Sequence, residues 1–330
     1  MKSGYLYVIL ATLIFSTMEI ALKMVSGVFN PIQLTFTRFF IGGMFLIPFA
    51  IGALKKRQVS VTIKDLAFFA FLGLLGITIS MLLYQLAVDN TLASVVAVIF
   101  SCNPVFVAIF AFFFIKEAIH KNNVIALVLE VIGTLFIINP FHVKLSVLGV
   151  SLTIAALLVF ALYTVFGKKK CARFGGIVVT FFSFLFGSLE LLIVIGLSNI
   201  PPLSVWFSTH GLEIFANIPI FQGYSWSVLP VVAYICIVNS GIGYACYFTA
   251  MEKTTAHTAS LAFFFKPMIA PVLALIILHE IIPINMVLGI LLILAGSLTS
   301  LLPDLLAQRK AKVALESTIR KDLNGNSDIS

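Results

Sequence analysis

Apolar runs of about twenty residues, separated by short polar breaks, fill the chain from Gly4 to Leu302. A helix rising 1.5 Å per residue needs about 20 such residues to cross a hydrocarbon core roughly 30 Å thick. Ten segments meet that length: 4–25, 32–54, 64–88, 91–115, 121–139, 146–167, 175–197, 227–250, 254–278 and 283–302. Breakers mark their edges at Pro31, Asn90, Asn139 with Pro140, Pro201 with Pro202, and Pro283. The first run is too long for the apolar core of a signal peptide, and no small-residue cleavage pattern follows it, so it reads as a membrane helix. The polar tail, 303–330, reads as a short cytoplasmic helix that frays into disorder. The longest connection, 198–226, is rich in Pro, Trp and Phe, and reads equally as a partial lid on the outer surface or as a greasy loop without a role.

Charge placement tests the count of spans. With the N-terminus in the cytoplasm, the cytoplasmic segments hold 17 of the 21 Lys and Arg residues, among them Lys55, Lys56, Arg57, Lys168, Lys169, Lys170 and Arg173. Only Lys23 and Lys144 fall outside, and Arg38 and Lys266 lie within spans. That bias is the positive-inside pattern, and an odd number of spans would scramble it. The expectation is therefore an all-α polytopic protein of the cell membrane, with both termini cytoplasmic.

Composition agrees. The chain is 61% hydrophobic and 10% charged, against about 25% charged for soluble domains. The net charge of +8 sits in short runs between apolar spans, which argues against nucleic acid as a partner. Cys102, Cys171, Cys236 and Cys246 have no metal-ligand spacing and read as small buried hydrophobes, so no metal or cofactor is expected.

The chain also resembles itself. At an offset of 163, Tyr84 meets Tyr247, Thr91 meets Thr254, Ala93 meets Ala256, Pro104 meets Pro267, Glu117 meets Glu280 and Asn122 meets Asn285. At an offset of 145, Lys23 meets Lys168, Thr35 meets Thr180 and Gly42 meets Gly187. Each half then has five spans, and an odd number sets the second half upside down. Inverted repeats are the mark of alternating-access carriers whose site lies near the midplane between the halves.

The repeat unit has a tyrosine near the end of its third helix, a Thr-x-Ala start to its fourth, then Pro and a Glu thirteen residues later. With Lys23 and Arg38, this resembles the EamA-type domain of the drug/metabolite transporter superfamily. The resemblance implies ten helices in two inverted five-helix repeats, 1–140 and 146–302. It also implies movement of a small metabolite, often export of an amino acid or related compound. Lys266 departs from the pattern, in which the residue before the ninth-helix proline is non-basic.

Ionisable residues inside spans cost about 2.5–3.5 kcal/mol each on insertion scales, so each needs a partner or a cavity. Glu19 and Arg38 lie at similar depths on neighbouring helices, which suggests an ion pair, or a carboxylate exchanging between Arg38 and a proton. Lys266 lies near the midplane before Pro267 and Pro271, with Asn103 as its repeat partner. It suits an anionic group of the substrate, or else an ion pair with Glu130 or Glu190. Asn239 reads as a possible hydrogen-bonder to substrate, and Tyr84 and Tyr247 as gates or interface anchors. Glu117 and Glu280 read as structural anchors or gate elements.

The leading function is a secondary carrier driven by a proton or a counter-substrate gradient, because the chain has no Walker A motif. A passive channel or receptor-like scaffold is the alternative. A membrane enzyme is disfavoured, since His120, His142, His210, His257 and His279 are scattered without catalytic spacing. Saturable uptake separates the carrier from both.

Overall fold

A computed structural model describes residues 2–117, 121–138, 146–263, 266–296 and 298–299, with the side chains of 2, 3, 123, 127, 130, 134, 137, 138 and 268 outside that description. Every regular element among the described residues is helical. Among the described residues seven helices are long and apolar enough to cross a membrane: α1 (Gly4–Met24), α2 (Pro31–Arg57), α3 (Ile63–Asn90), α4 (Ala93–Ile115), α6 (Val147–Phe174), α7 (Gly176–Ser198) and α8 (Leu229–Lys253). Three shorter ones, α5 (Lys121–Ile138), α9 (Lys266–Ile277) and α10 (Ile284–Gly296), occupy the remaining apolar runs. The polar tail from 303 onward lies outside the described residues.

Local chemistry starts and stops these helices where the sequence has its breakers. Asn30 caps α2, its Oδ1 accepting from the Ile32 amide at 2.8 Å, with Pro31 in the first turn. Thr62 and Asp65 form a reciprocal capping box on α3. Ser146 caps α6 through the Gly149 amide at 3.0 Å. Between α6 and α7 the chain turns within one residue, Gly175, at φ 87°, a left-handed value that a side chain resists.

Five of the helices are irregular at mid-depth. α1 breaks at Ser16–Thr17, where the hydroxyls of Thr12 and Ser16 bond back to carbonyls four residues earlier. α3 and α8 each contain a π-helical stretch, Leu74–Met81 and Tyr234–Ile242, a form that concentrates at functional sites. α4 breaks between Phe100 and Asn103, and Pro104 begins its second part. α9 starts at Lys266–Pro267 after a short helix Ala256–Ser260 and a tight turn Leu261–Phe263. The sequence predicts a kink around Pro267. The irregularity instead lies just before it, because proline in a first helical turn removes no intrahelical bond.

α7 packs between α2, α3 and α8, α6 lies along α3 and α4, α1 lies along α8, and α9 crosses the first part of α4. Small residues permit the closest approach. A Cβ on Gly73 would sit 2.5 Å from the Gly187 amide nitrogen, so α3 and α7 touch backbone to backbone there. The segment 198–226 is anchored to the start of α2. Asn30 Nδ2 donates to the Ile214 carbonyl at 2.9 Å, Gln33 Nε2 to the Gln222 carbonyl at 2.8 Å, and the Thr37 and Tyr224 hydroxyls bond at 2.5 Å. Phe221 and Trp226 are 88% and 90% exposed, which leaves their rings free for an interface with lipid headgroups.

Candidate substrate site

Glu19 is the second residue after the break in α1, and Lys266 is the first residue of α9. The two breaks bring them together. Lys266 Nζ donates to Glu19 Oε1, and the Tyr84 hydroxyl of α3 donates to the same oxygen. All three side chains are fully buried. The ammonium also faces three rings, with centroids 5.3 Å away at Phe263, 5.5 Å at Phe100 and 5.9 Å at Tyr84. The result is an aromatic box with one carboxylate wall, a geometry that stabilises a cation by charge and by ring quadrupole together.

This corrects two pairings expected from sequence. Among the described residues Glu19 does not hydrogen-bond to Arg38, and the carboxylate on Lys266 is Glu19, not Glu190. Glu190 is partly exposed and accepts from the Thr78 hydroxyl at 2.6 Å. The Glu130 side chain lies outside the described residues. Arg38 is fully buried on α2, stacks its guanidinium 4.5 Å over Phe39, and has no hydrogen-bond partner on any of its three nitrogens among the described residues.

The other candidate residues divide in two. Asn239 sits in the π-helical stretch of α8 and donates to the Ile14 carbonyl at 2.8 Å and to the Thr17 hydroxyl at 3.2 Å. It thus satisfies an acceptor beside the break in α1, while its own Oδ1 has no partner. Tyr247 bonds to the Thr164 hydroxyl at 3.0 Å. Asn103 is buried with both polar side-chain atoms unpartnered. Tyr84 and Tyr247 both enter one aromatic cluster with Phe15, Phe100, Phe160 and Phe263. Both are fully buried in the core, not exposed as anchors at a membrane interface.

Contacts recur at the offsets read from the sequence. Lys23 Nζ donates to the carbonyls of Val88 and Thr91, at 2.7 and 2.8 Å. Its counterpart Lys168 donates to those of Met251 and Thr254. Asn122 donates to the Thr299 carbonyl at 3.1 Å, and Asn285 to that of Phe136 at 3.2 Å. The Tyr84–Glu19 bond corresponds to the Tyr247–Thr164 bond.

One related pair is unequal. Glu280 accepts from the Ala93 amide at 2.8 Å, the Ser94 amide at 3.1 Å and the Ser94 hydroxyl at 2.6 Å, capping α4. Its counterpart Glu117 accepts from the Ala256 amide at 3.4 Å. These two contacts lie at opposite ends of α4, whose 23 residues put them about 35 Å apart. Sequence reading marked both glutamates as anchors or gate elements, but gave no sign that one is held more tightly.

The sequence profile of the EamA-like transporter family matches residues 2–139 and again 147–302, nearly the whole chain. The chain belongs to the EamA-like transporter family. It is similar to an uncharacterized transporter of Clostridium kluyveri, 35% identical over 326 residues, covering 96% of this chain and 99% of that one. It is also similar to the uncharacterized transporter YvbV of Bacillus subtilis, 26% identical over 81% of each chain. A segment covering 42% of this chain and 36% of the relative is 28% identical to mouse solute carrier family 35 member G1. A crystal structure at 18% identity shares the fold at a TM-score of 0.63, covering 91% of this chain and 98% of that chain. This EamA-like protein is therefore a multi-pass membrane transporter, with a small-molecule substrate and membrane lipid as its surroundings.

Proposed function

We propose that the chain is a secondary carrier that moves a small metabolite, an amino acid or related compound, out across the cell membrane by alternating access. Ten spans in two inverted halves, 1–140 and 146–302, with both termini cytoplasmic, form its frame. The observation that carries this reading is the unequal glutamate pair. Glu280 and Glu117 are counterparts at opposite ends of α4, and each reaches from its own half to a helix start in the other. Among the described residues Glu280 accepts three bonds of 2.6–3.1 Å and Glu117 one of 3.4 Å. Two equivalent latches in different states are what a protein closed at one face and loosened at the other requires.

Between the latches lies the buried centre of Glu19, Lys266, Tyr84 and Arg38. A proton on Glu19, or a charged substrate group competing for Lys266, would break the central ion pair. That supplies a coupling step by either a proton or a counter-substrate. Unpartnered polar atoms on Asn103 and Asn239 add hydrogen-bonding capacity for a bound molecule. The test is an untargeted comparison of metabolites inside and outside cells that overproduce the chain or its Glu19→Gln variant. A compound should accumulate outside only with the native chain. Identical profiles in both would overturn the reading.

A further inference from the structure

We infer that Arg38 is an anion seat, and that the substrate crosses with a net negative charge on a carboxylate or phosphate. This rests on the carrier reading and narrows its substrate class. The argument is a count of charges. Among the described side chains the buried centre holds two cations, Arg38 and Lys266, and one anion, Glu19. Glu19 spends Oε1 on Lys266 and Tyr84, and its Oε2 has no partner. Even if Arg38 swung onto that oxygen, the centre would keep one uncompensated positive charge.

Other described carboxylates of the bundle are engaged elsewhere. Asp65 pairs with Lys170 at 2.7 Å and Arg173 at 3.2 Å, and Glu252 pairs with Arg57. Glu280 caps α4, Asp89 accepts from the Ser26 hydroxyl at 2.7 Å, and Glu190 is held by Thr78. The stack on Phe39 offsets only part of the desolvation of a guanidinium. Arg38 therefore presents unused donors in a planar fork, the geometry that binds a carboxylate or phosphate through two parallel bonds. Tyr84 of α3, Tyr244 and Cys236 of α8, and Glu19 of α1 are near enough to interact with its charge, so the seat lies between α1, α2, α3 and α8. A zwitterion would bring no net charge and leave the imbalance in place. A monoanion would neutralise it.

The seat is tested without knowing the physiological substrate. Thermal unfolding of the purified full chain is followed in a buffer whose only anion is a bulky sulfonate, with acetate, inorganic phosphate or chloride then added. Wild type should gain at least about 2 °C, saturably, from acetate or phosphate. Arg38→Met should melt no lower than wild type in the starting buffer and should gain nothing. Arg38→Lys, a point charge without the fork, should respond with a half-saturating concentration raised about tenfold. An Arg38→Met protein that melts well below wild type before addition, or fails to fold, would overturn the proposal. So would equal responses in wild type and the lysine variant, or a response to chloride alone. Saturable transport of a net-neutral compound by reconstituted protein would remove the seat and leave the carrier standing. An anion response with no transport of any compound would remove the carrier and leave the seat.

Discussion

A lysine with no exposed surface stays charged only if an anion holds it, and in Lys266 the anion is Glu19. Removing one member of a buried pair leaves the other uncompensated, at about 3–5 kcal/mol. Lys266→Met and Glu19→Gln should each destabilise the purified protein by roughly that amount. The double variant should lose less than the sum, because each change relieves the other. Strict additivity in unfolding measurements would show that the pair is not coupled. The sequence placed Glu19 and Arg38 at similar depths and Lys266 near the midplane, but could not choose among partners. A short loop between α1 and α2 favoured Arg38, whereas the start of α9 is brought to Glu19 by breaks whose direction depends on packing.

At the scale of the elements, sequence was a good guide wherever chemistry is local. Asn30, Thr62 and Ser146 cap the helices that their neighbours begin. The apolar runs became helices because a backbone in lipid must satisfy its own hydrogen bonds. The π-helical stretches in α3 and α8 were not legible, since no residue pattern separates them from ordinary helix. Their glycines were visible, and the structure gives them work. Gly73 meets the backbone of α7, and Gly76 faces the ring of Tyr163, whose nearest atom would lie 2.6 Å from an added Cβ. Gly73→Ala should therefore force α3 from α7 and cost about 1–3 kcal/mol. Gly52, with nothing within 4 Å of an added Cβ, should tolerate alanine with a small gain in helix stability. Comparing the two melting temperatures checks that the effect comes from contact and not from loss of glycine.

For the whole molecule, the expectation of paired halves came from the offsets 163 and 145, and the separate contacts made by Lys23 and by Lys168, by Asn122 and by Asn285, and by Tyr84 and by Tyr247 follow the same offsets. Their inequality was beyond reach, because identical residues at equivalent positions carry no record of conformational state. The proposed topology has its own check. Cysteines at the exposed positions Ser60 and Ser208 should differ in intact cells. An impermeant thiol reagent should spare the first and modify the second, and labelling at Ser60 would contradict cytoplasmic termini.

The central claim is that the two ends of α4 open alternately. It is tested most directly by electron–electron distance measurements on spin labels, in a protein whose four buried cysteines are replaced. One label pair, Asn90→Cys with Ile281→Cys, reports the Glu280 end, and another, Lys116→Cys with Lys253→Cys, reports the Glu117 end. All four positions are exposed. Adding Glu280→Gln weakens the tight latch, so the first distance should lengthen while the second shortens, each by redistribution between two populations. Two single distances that do not move, or that lengthen together, would contradict alternating access.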